Sequence, residues 1–177
     1  MITNPKELPG TSLSEKDFLD KKVLFNYDQL HGDFAWDTGV AIGQYLAGLK
    51  EGIILGARCN TCRKIVIPPR VVCEWCYRPM VDYVHLQDTG IVNTFSLCYV
   101  TWDVQRIQIP EIPAVIEIDG ASPLHGILHK LGEVDPQQVY IGMKVKAVWR
   151  QPAERQGAIT DILYFKPIES FPTKPGY

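Results

Sequence analysis

The stretch that decides the fold runs over residues 59–76 and reads CNTCRKIVIPPRVVCEWC. It holds two C-x-x-C motifs separated by ten residues, and their cysteines are Cys59, Cys62, Cys73 and Cys76. A C-x-x-C turn directs two sulfur atoms at one point, and two such turns on a hairpin give the four thiolates of a tetrahedral structural zinc site. The spacing therefore predicts a zinc ribbon, with Pro68 and Pro69 at the bend of its hairpin.

These cysteines have two other possible uses, namely two disulfides in a secreted protein or a redox-active C-x-x-C pair. The opening segment, MITNPKELPGTSLSEKDF, lacks the apolar core of a secretory signal, which favours a cytoplasmic protein with reduced thiols. Two matched pairs without a βαβ pattern argue against a redox motif. A closed four-sulfur site leaves no coordination position for a substrate, so we expect a structural Zn²⁺ without catalytic chemistry.

The charge of the chain is unevenly distributed. The 177 residues carry a net charge of −2, and 46% of them are hydrophobic. Residues 57–80 contain five basic residues and one acidic residue, whereas residues 84–170 contain seven basic and ten acidic residues. A basic patch on an acidic body can attract an anionic ligand or an acidic partner surface. No apolar run approaches the ~20 residues of a membrane span, so we expect no membrane partner.

The remaining chain predicts short helices followed by strands. Ser14 is a candidate N-cap of a short helix, and apolar residues at helical spacing predict a helix over 38–51 that stops at Gly52. After the ribbon, apolar residues recur at every second position. This pattern predicts strands over 91–100, 114–119, 124–131, 144–150 and 158–165. Residues 103–113 are expected to form an exposed loop, and Gly126 is a candidate β-bulge.

Five strands joined by short turns favour the five-stranded OB-fold barrel over a β-sandwich, which usually has seven or more strands. The expected fold class is mainly β with N-terminal α. We divide the chain into an N-terminal helical segment, a rubredoxin-like zinc ribbon, an OB-fold barrel and a C-terminal tail, at 1–56, 57–80, 81–170 and 171–177. Four aromatic residues of the first segment either cover a core or pack on another chain: Phe25, Tyr27, Phe34 and Trp36.

Three stretches carry a resemblance to a known family: LGARCNTCRKIVIPPRVVCEWC at 55–76, IPAVIEIDG at 112–120 and IGMKVKAVWR at 141–150. In this order they resemble the zinc-ribbon/OB-fold proteins that act as non-catalytic partners of thiolases and related acyl-CoA enzymes. The resemblance covers about residues 38–166. The chain departs from the family at Arg63 and Tyr77, where a glycine usually follows the second cysteine of each knuckle.

The resemblance implies an accessory subunit that forms a hetero-oligomer with a thiolase-like catalytic subunit and shapes the entrance for acyl-CoA. Four basic ribbon residues are then candidates for contacts with the phosphates of coenzyme A: Arg58, Arg63, Lys64 and Arg70. A solvated ribbon surface is the equally open alternative for these residues. The resemblance also allows a subunit of an acyl-CoA aldolase or hydratase complex.

The sequence shows no convincing catalytic set. Cys98 lies mid-strand and is expected to be a small buried hydrophobe. His125 and His129 are spaced to share one face of a strand, and we expect them to be solvated or satisfied within the core. A single-stranded nucleic-acid binder is a further alternative, since zinc ribbons and OB folds bind single strands elsewhere. The acidic barrel argues against it, because nucleic-acid readers present a basic surface.

Overall fold

The computed structural model describes residues 14–23, 32, 35–101 and 103–168. The chain divides into two compact units, Met1–Trp36 and Asp37–Tyr177. The first contains the short helix α1 (Glu15–Leu19), and the carboxylate of Asp17 accepts hydrogen bonds from the backbone N–H and the hydroxyl of Ser14. This capping box confirms the predicted helix start.

Several predictions fall on parts of the chain that the structure does not describe. Phe25, Tyr27, Phe34 and the tail at 171–177 lie outside the described residues. Trp36 is described, and 86% of it is exposed, so within the described residues it does not cover a core.

The second unit opens with helix α2 (Gly39–Glu51), which confirms the helix predicted over 38–51. The Asp37 carboxylate accepts a hydrogen bond of 2.8 Å from the Gly39 N–H, and Gly52 ends the helix in a left-handed conformation with φ of 78°. One face of α2 is buried at Ala41, Tyr45, Gly48 and Leu49.

The ribbon contains a three-stranded antiparallel sheet in the order β2–β1–β3. These strands are β1 (Ile54–Arg58), β2 (Ile65–Val66) and β3 (Asp82–Leu86). Strand β3 follows the expected end of the ribbon at residue 80, yet it pairs with β1 from Arg58–Asp82 to Ile54–Leu86. The boundary between the ribbon and the barrel at residues 80/81 therefore remains a prediction.

Five strands form a second sheet in the order β10–β9–β4–β7–β8. They are β4 (Thr89–Phe95), β7 (Pro113–Ile118), β8 (Gly126–Lys130), β9 (Lys144–Trp149) and β10 (Ile162–Pro167). A parallel bridge between Leu131 and Phe165 joins the two outer strands β8 and β10, and the Gly132 N–H donates to the Phe165 carbonyl at 2.9 Å. The sheet closes on itself, which confirms the OB-fold barrel.

The expected loop at 103–113 was wrong. Strand β4 ends at Phe95, and β5 (Cys98–Val100) pairs with β6 (Arg106–Glu111) as a separate two-stranded hairpin. The strand predicted over 91–100 is thus two strands. Pro110 is compatible with β6 because a two-stranded hairpin has an outer edge on which a missing N–H breaks no ladder bond.

Two further predictions need correction. The strand expected over 158–165 begins as a 3₁₀ turn (Ile159–Asp161), and extended structure starts only at Ile162. Gly126 is not a bulge, since the register of β8 on β7 is continuous. A Cβ at Gly126 would meet the Ile116 carbonyl, so close approach of β7 accounts for the glycine.

None of the helices among the described residues has the length and apolar character of a membrane-spanning helix.

Candidate metal centre

The four ribbon cysteines converge on one point. Their sulfur atoms all lie within 4.8 Å of one another, with Cys59 Sγ 3.4 Å from Cys76 Sγ and Cys62 Sγ 3.5 Å from Cys73 Sγ. These separations exceed the ~2.05 Å of a disulfide bond. Four Zn–S bonds of about 2.3 Å in a tetrahedron place the sulfur atoms about 3.8 Å apart. The arrangement therefore fits a structural Zn²⁺ without open coordination positions.

The two knuckles share one backbone pattern. In the first, the Cys59 N–H donates to the Lys64 carbonyl at 2.8 Å, and the Arg63 N–H donates to the Cys59 carbonyl at 2.9 Å. The second repeats both bonds with Cys73, Arg78 and Tyr77. The Cys62 N–H also points at Cys59 Sγ, 3.5 Å away. The shared bonds give the two knuckles the same backbone turn, which places their sulfur atoms on a common point.

Arg63 and Tyr77 occupy the positions where the family usually has glycine. Both residues adopt the left-handed conformation, with φ of 64° and 55°. This conformation costs a residue with a side chain roughly 1–2 kcal/mol. The knuckles therefore keep the geometry of the glycine pattern at the expense of backbone strain.

The thiols differ in acidity because their surroundings differ. The N–H of Cys62 is the main cause that lowers the pKa of Cys59 to about 6. Burial, followed by the neighbouring Cys59 sulfur, raises the pKa of Cys76 to about 12. A Zn²⁺ ion must displace the proton of a high-pKa thiol, so metal affinity is expected to rise with pH.

The ribbon has only a small core of its own. Its buried apolar cluster consists of Ala57, Cys59, Val66, Cys73 and Met80. Two of these five residues are metal ligands. A cluster of this size cannot offset the conformational entropy of the ribbon, so the metal-binding free energy is folding free energy here.

Three of the four basic residues proposed for coenzyme A have partners within the chain. Arg58 Nη2 lies 2.7 Å from Asp82 Oδ2, and Arg70 Nη1 lies 2.5 Å from Glu74 Oε2. The remaining paired cation is Lys64, whose Nζ lies 4.2 Å above the centre of the Trp75 ring. Within the described residues, the side chain of Arg63 has no acidic partner.

The metal centre also changes the charge of the ribbon. Residues 57–80 carry a net +4 when the cysteines are neutral. Four thiolates around one Zn²⁺ carry a net −2, which leaves the loaded ribbon at +2. The loaded ribbon is therefore less positive than its sequence suggests, which weakens its long-range attraction for an anionic ligand.

The ribbon is joined to the barrel by contacts that the sequence did not predict. The Ile65 N–H donates to Ser122 Oγ and the Ser122 N–H donates to the Ile65 carbonyl, both at 2.9 Å. The ring of His125 packs edge-on against Trp75 with 5.1 Å between centroids. Ile65 and Ser122 are 57 residues apart, and no local pattern in the sequence connects them.

Both histidines of the 124–131 segment have structural contacts. His125 is buried beside Trp75, its Nε2 lies 3.5 Å from Glu74 Oε1, and burial is the main cause that lowers its pKa. His129 Nδ1 accepts the Lys130 N–H at 2.9 Å, and Nε2 lies 3.3 Å from the Ile159 carbonyl. Neither ring is arranged with a nucleophile among the described residues.

Cys98 is half-buried, not buried as expected. Its sulfur lies 3.8 Å from the Ser96 hydroxyl. The described contacts give this thiol no histidine partner that would activate it as a nucleophile.

Comparison with known proteins agrees with this architecture. Residues 46–80 match the family model for the ChsH2 rubredoxin-like zinc ribbon domain, and residues 83–150 match the model for the ChsH2 C-terminal OB-fold domain. A DUF35 domain-containing scaffold protein from Methanocaldococcus jannaschii is 33% identical over 120 residues, which cover 66% of this chain and 83% of that protein.

Two solved structures share the fold. A DUF35-family protein of unknown function from Sulfolobus solfataricus is 26% identical, with a TM-score of 0.54 over 63% of this chain and 79% of the other. The Ltp2-ChsH2(DUF35) aldolase is 20% identical, with a TM-score of 0.56 over 76% of this chain and 98% of the other. Given the two matched domains and the similarity to the Methanocaldococcus protein, this chain belongs to the DUF35 family of zinc-ribbon/OB-fold proteins.

Proposed function

We propose that this chain is a non-catalytic scaffold subunit of a larger enzyme that makes or breaks a carbon–carbon bond in a coenzyme A thioester. The Methanocaldococcus relative is named a scaffold protein, and one structure of the same fold is an Ltp2-ChsH2(DUF35) aldolase. In this chain, the metal centre is coordinatively closed, and both histidines of the barrel are engaged in structural contacts. The reactive groups then belong to a catalytic subunit, and we place the complex in the cytoplasm.

The observation that carries the proposal is the β5–β6 hairpin. Within the described residues, it forms a sheet of its own and pairs with neither the ribbon nor the barrel strands. Its exposed apolar side chains include Tyr99, Val100, Val104 and Ile109, and Ile109 is 81% exposed. The hairpin continues the β4–β7 pair, since the Ser96 N–H donates to the Pro113 carbonyl at 3.0 Å, but it has no third strand among the described residues. Two-stranded β-structure is only marginally stable without packing on one face, and exposed apolar surface marks protein interfaces. A second protein chain that covers the hairpin would provide this packing.

The first candidate for the complete enzyme is a thiolase. The resemblance of residues 38–166 to thiolase-associated proteins supports it, and within that family the chain resembles the small subunit of benzoylsuccinyl-CoA thiolase. In this proposal the catalytic chain cleaves a β-keto thioester with coenzyme A as the acyl acceptor. Benzoylsuccinyl-CoA, an intermediate of aromatic degradation, is the substrate to test first.

The second candidate is an acyl-CoA aldolase. The shared fold with the Ltp2-ChsH2(DUF35) aldolase favours it, since that structure covers 76% of this chain. A retro-aldol cleavage releases a carbonyl compound and consumes no free coenzyme A. Thiolysis consumes one coenzyme A thiol for each bond that breaks and yields two thioesters. The two candidates therefore differ in a quantity that is simple to measure.

The test is co-production of the full chain with a thiolase-like or an aldolase-like chain of the same organism. We expect a stable hetero-oligomer whose activity exceeds that of either chain alone. Consumption of free thiol with benzoylsuccinyl-CoA supports the thiolase, and release of a carbonyl product from a β-hydroxyacyl-CoA without thiol consumption supports the aldolase. A self-sufficient activity of this chain alone would contradict the proposal.

The proposed contacts with coenzyme A can be ranked by their existing partners. Arg63 has no acidic partner among the described residues, whereas Arg58 is paired with Asp82. We expect Arg63→Ala to raise the KM for coenzyme A of the thiolase complex by about 5- to 20-fold, which corresponds to the loss of one charge-assisted phosphate contact. Arg58→Ala is the matched control and is expected to leave this KM within about twofold. Equal effects of the two changes would argue for a general effect of ribbon charge.

A further inference from the structure

Three turn residues combine a strained backbone with an exposed apolar side chain. Tyr77, Val104 and Leu124 have φ of 55°, 64° and 65°, and they are 80%, 79% and 82% exposed. Tyr77 follows the second ribbon knuckle, Val104 lies in the turn of the β5–β6 hairpin, and Leu124 precedes β8.

Neither the backbone nor the packing of this chain accounts for these side chains. The left-handed region favours glycine, asparagine and aspartate, and a β-branched residue such as Val104 is a genuine outlier there. A side chain that is about four-fifths exposed contributes little apolar burial to the folded chain. Strained residues of this kind persist at sites that contact a ligand or a partner. We therefore ask which molecule outside this chain these three side chains contact.

The segments that carry Tyr77 and Leu124 contact each other. Trp75 lies two residues before Tyr77, and it contacts His125, the residue after Leu124. The same part of the ribbon carries the exposed apolar residues Val71 and Val72. We define the ribbon face as Val71, Val72, Trp75, Tyr77 and Leu124, all of which are exposed. Aromatic residues at the centre of such a patch are typical of binding hot spots.

The rim of the ribbon face is basic. Arg63 and Arg78 have no acidic partner among the described residues, and Lys64 lies over the Trp75 ring. A second copy of this chain does not suit the face, because a two-fold interface would bring two basic rims into one contact, and like charges in an interface repel each other. A protein surface with apolar pockets and an acidic rim is complementary to it.

We propose that the ribbon face docks on the catalytic subunit, with Tyr77 and Leu124 as the anchors that enter apolar pockets of that subunit. This inference rests on the proposed function and names the surface through which the chain binds the catalytic subunit. Val104 marks a second contact of the same type on the hairpin. The strain at each anchor is retained because the side chain contributes to binding and not to folding.

The test uses Tyr77→Gly and Leu124→Gly in the full zinc-loaded chain. Glycine relieves the left-handed strain and removes the anchor, so stability and binding should change in opposite directions. We expect each variant to melt at a higher temperature than the wild type and to keep one zinc per chain. Calorimetric titration with the separately produced catalytic subunit should show binding weakened about 30-fold or more.

Ile141→Ala is the matched control, since Ile141 is exposed and does not have a left-handed backbone. It should bind within about twofold of the wild type. If the wild type binds the catalytic subunit while both glycine variants retain its affinity, the ribbon face is not the docking surface, although the proposed function stands. If the wild type does not bind, the proposed function fails and this inference fails with it. Self-association of the wild type in light scattering that Tyr77→Gly abolishes would identify a second copy as the occupant and overturn the proposal.

Discussion

At the scale of single residues, Asp161 organises the loop that leads into the last barrel strand. Its side chain is buried, and both carboxylate oxygens accept backbone N–H bonds of 2.7 to 3.1 Å from Gln156, Gly157 and Ala158. Burial alone would raise the pKa of Asp161, but the N–H bonds and the nearby Arg150 outweigh it and lower the pKa. The ionised carboxylate thus acts as a template for three consecutive amides.

Replacement of this carboxylate should destabilise the whole chain. Asp161→Ala leaves three partly buried N–H groups without their acceptor, and we expect a loss of about 2–3 kcal/mol of unfolding free energy. Urea denaturation followed by circular dichroism measures it. Glu154→Ala, at an exposed position of the same loop, is the control and should change stability by less than about 0.5 kcal/mol.

The Asp161 carboxylate should also make the stability of the chain depend on pH under acidic conditions. Because the folded pKa of Asp161 is lower than the unfolded value of 3.8, its contribution is complete above pH 3.8 and is lost as the pH falls through the folded pKa. Asp161→Asn should therefore flatten the stability profile below about pH 4. An unchanged acid limb in this variant would show that the carboxylate is not ionised in the folded protein.

At the scale of elements, the seam between β8 and the segment before β10 is held by a side chain. Backbone pairing across this seam is limited to the bridge between Leu131, which directly follows β8, and Phe165 of β10. His129 spans the seam, because its Nδ1 accepts the Lys130 N–H while Nε2 faces the Ile159 carbonyl. This pair of contacts requires the neutral ring with its proton on Nε2.

The seam should weaken as the pH falls. Burial is the main cause that lowers the pKa of His129 below 6.5, so the unfolded chain binds more protons in the window below that value. Stability is expected to be complete above about pH 6.5 and to decline below it. The pKa of His125 is lowered in the same direction, so His129→Gln should remove part of the slope.

Titration of individual histidine ring signals by NMR, combined with melting curves from pH 5 to 8, separates the two contributions. His85→Gln, at an exposed position, is the control for the chemical effect of the substitution itself. A His129 ring that titrates at or above 6.5 would contradict the role of the neutral ring in the seam.

The elements that the sequence predicted are those with a local cause. Helix α2 follows from the apolar spacing of residues such as Tyr45 and Leu49 and from the stop at Gly52, and the barrel strands follow from a period of two. The β6 strand was missed because Pro110 indicates a loop unless the strand is known to have a free edge. The 3₁₀ turn before β10 was missed because it depends on hydrogen bonds to the Asp161 side chain. The seam of His129 depends on strand closure, which no local pattern encodes.

At the scale of the whole molecule, the Asp37–Tyr177 unit contains two apolar cores of unequal size. The larger one combines α2, β1 and the barrel and includes Leu49, Ile54 and Phe165. The smaller one surrounds the four thiols. Ile67 of the ribbon reaches the larger core, and Ser122 of the barrel bonds to Ile65. The ribbon is therefore attached to the barrel, but its own interior depends on the metal.

Removal of the metal should unfold the ribbon and leave the barrel folded. We expect one zinc per chain in the purified protein, and a chelator strong enough to compete for a structural site, whose binding free energy is about 10–16 kcal/mol at pH 7, should release it. Hydrogen exchange should then accelerate over residues 57–80 and over 120–125, since Ser122 loses its ribbon partner, while β7 and β9 stay protected. Cys62→Ser should reproduce this pattern without a chelator, and Cys98→Ser is the matched control that keeps the zinc.

The pattern of hydrogen exchange along the chain shows whether the two cores unfold together or separately. Equal acceleration over the barrel strands would show that the two cores unfold as one cooperative unit, and unchanged protection of 57–80 would contradict a structural role for the metal. The predicted outcome has a consequence for assembly, because Trp75 lies between the ligands Cys73 and Cys76, and Tyr77 directly follows Cys76. A chain without zinc should keep its barrel yet lose the ribbon face, and it should fail to bind the catalytic subunit.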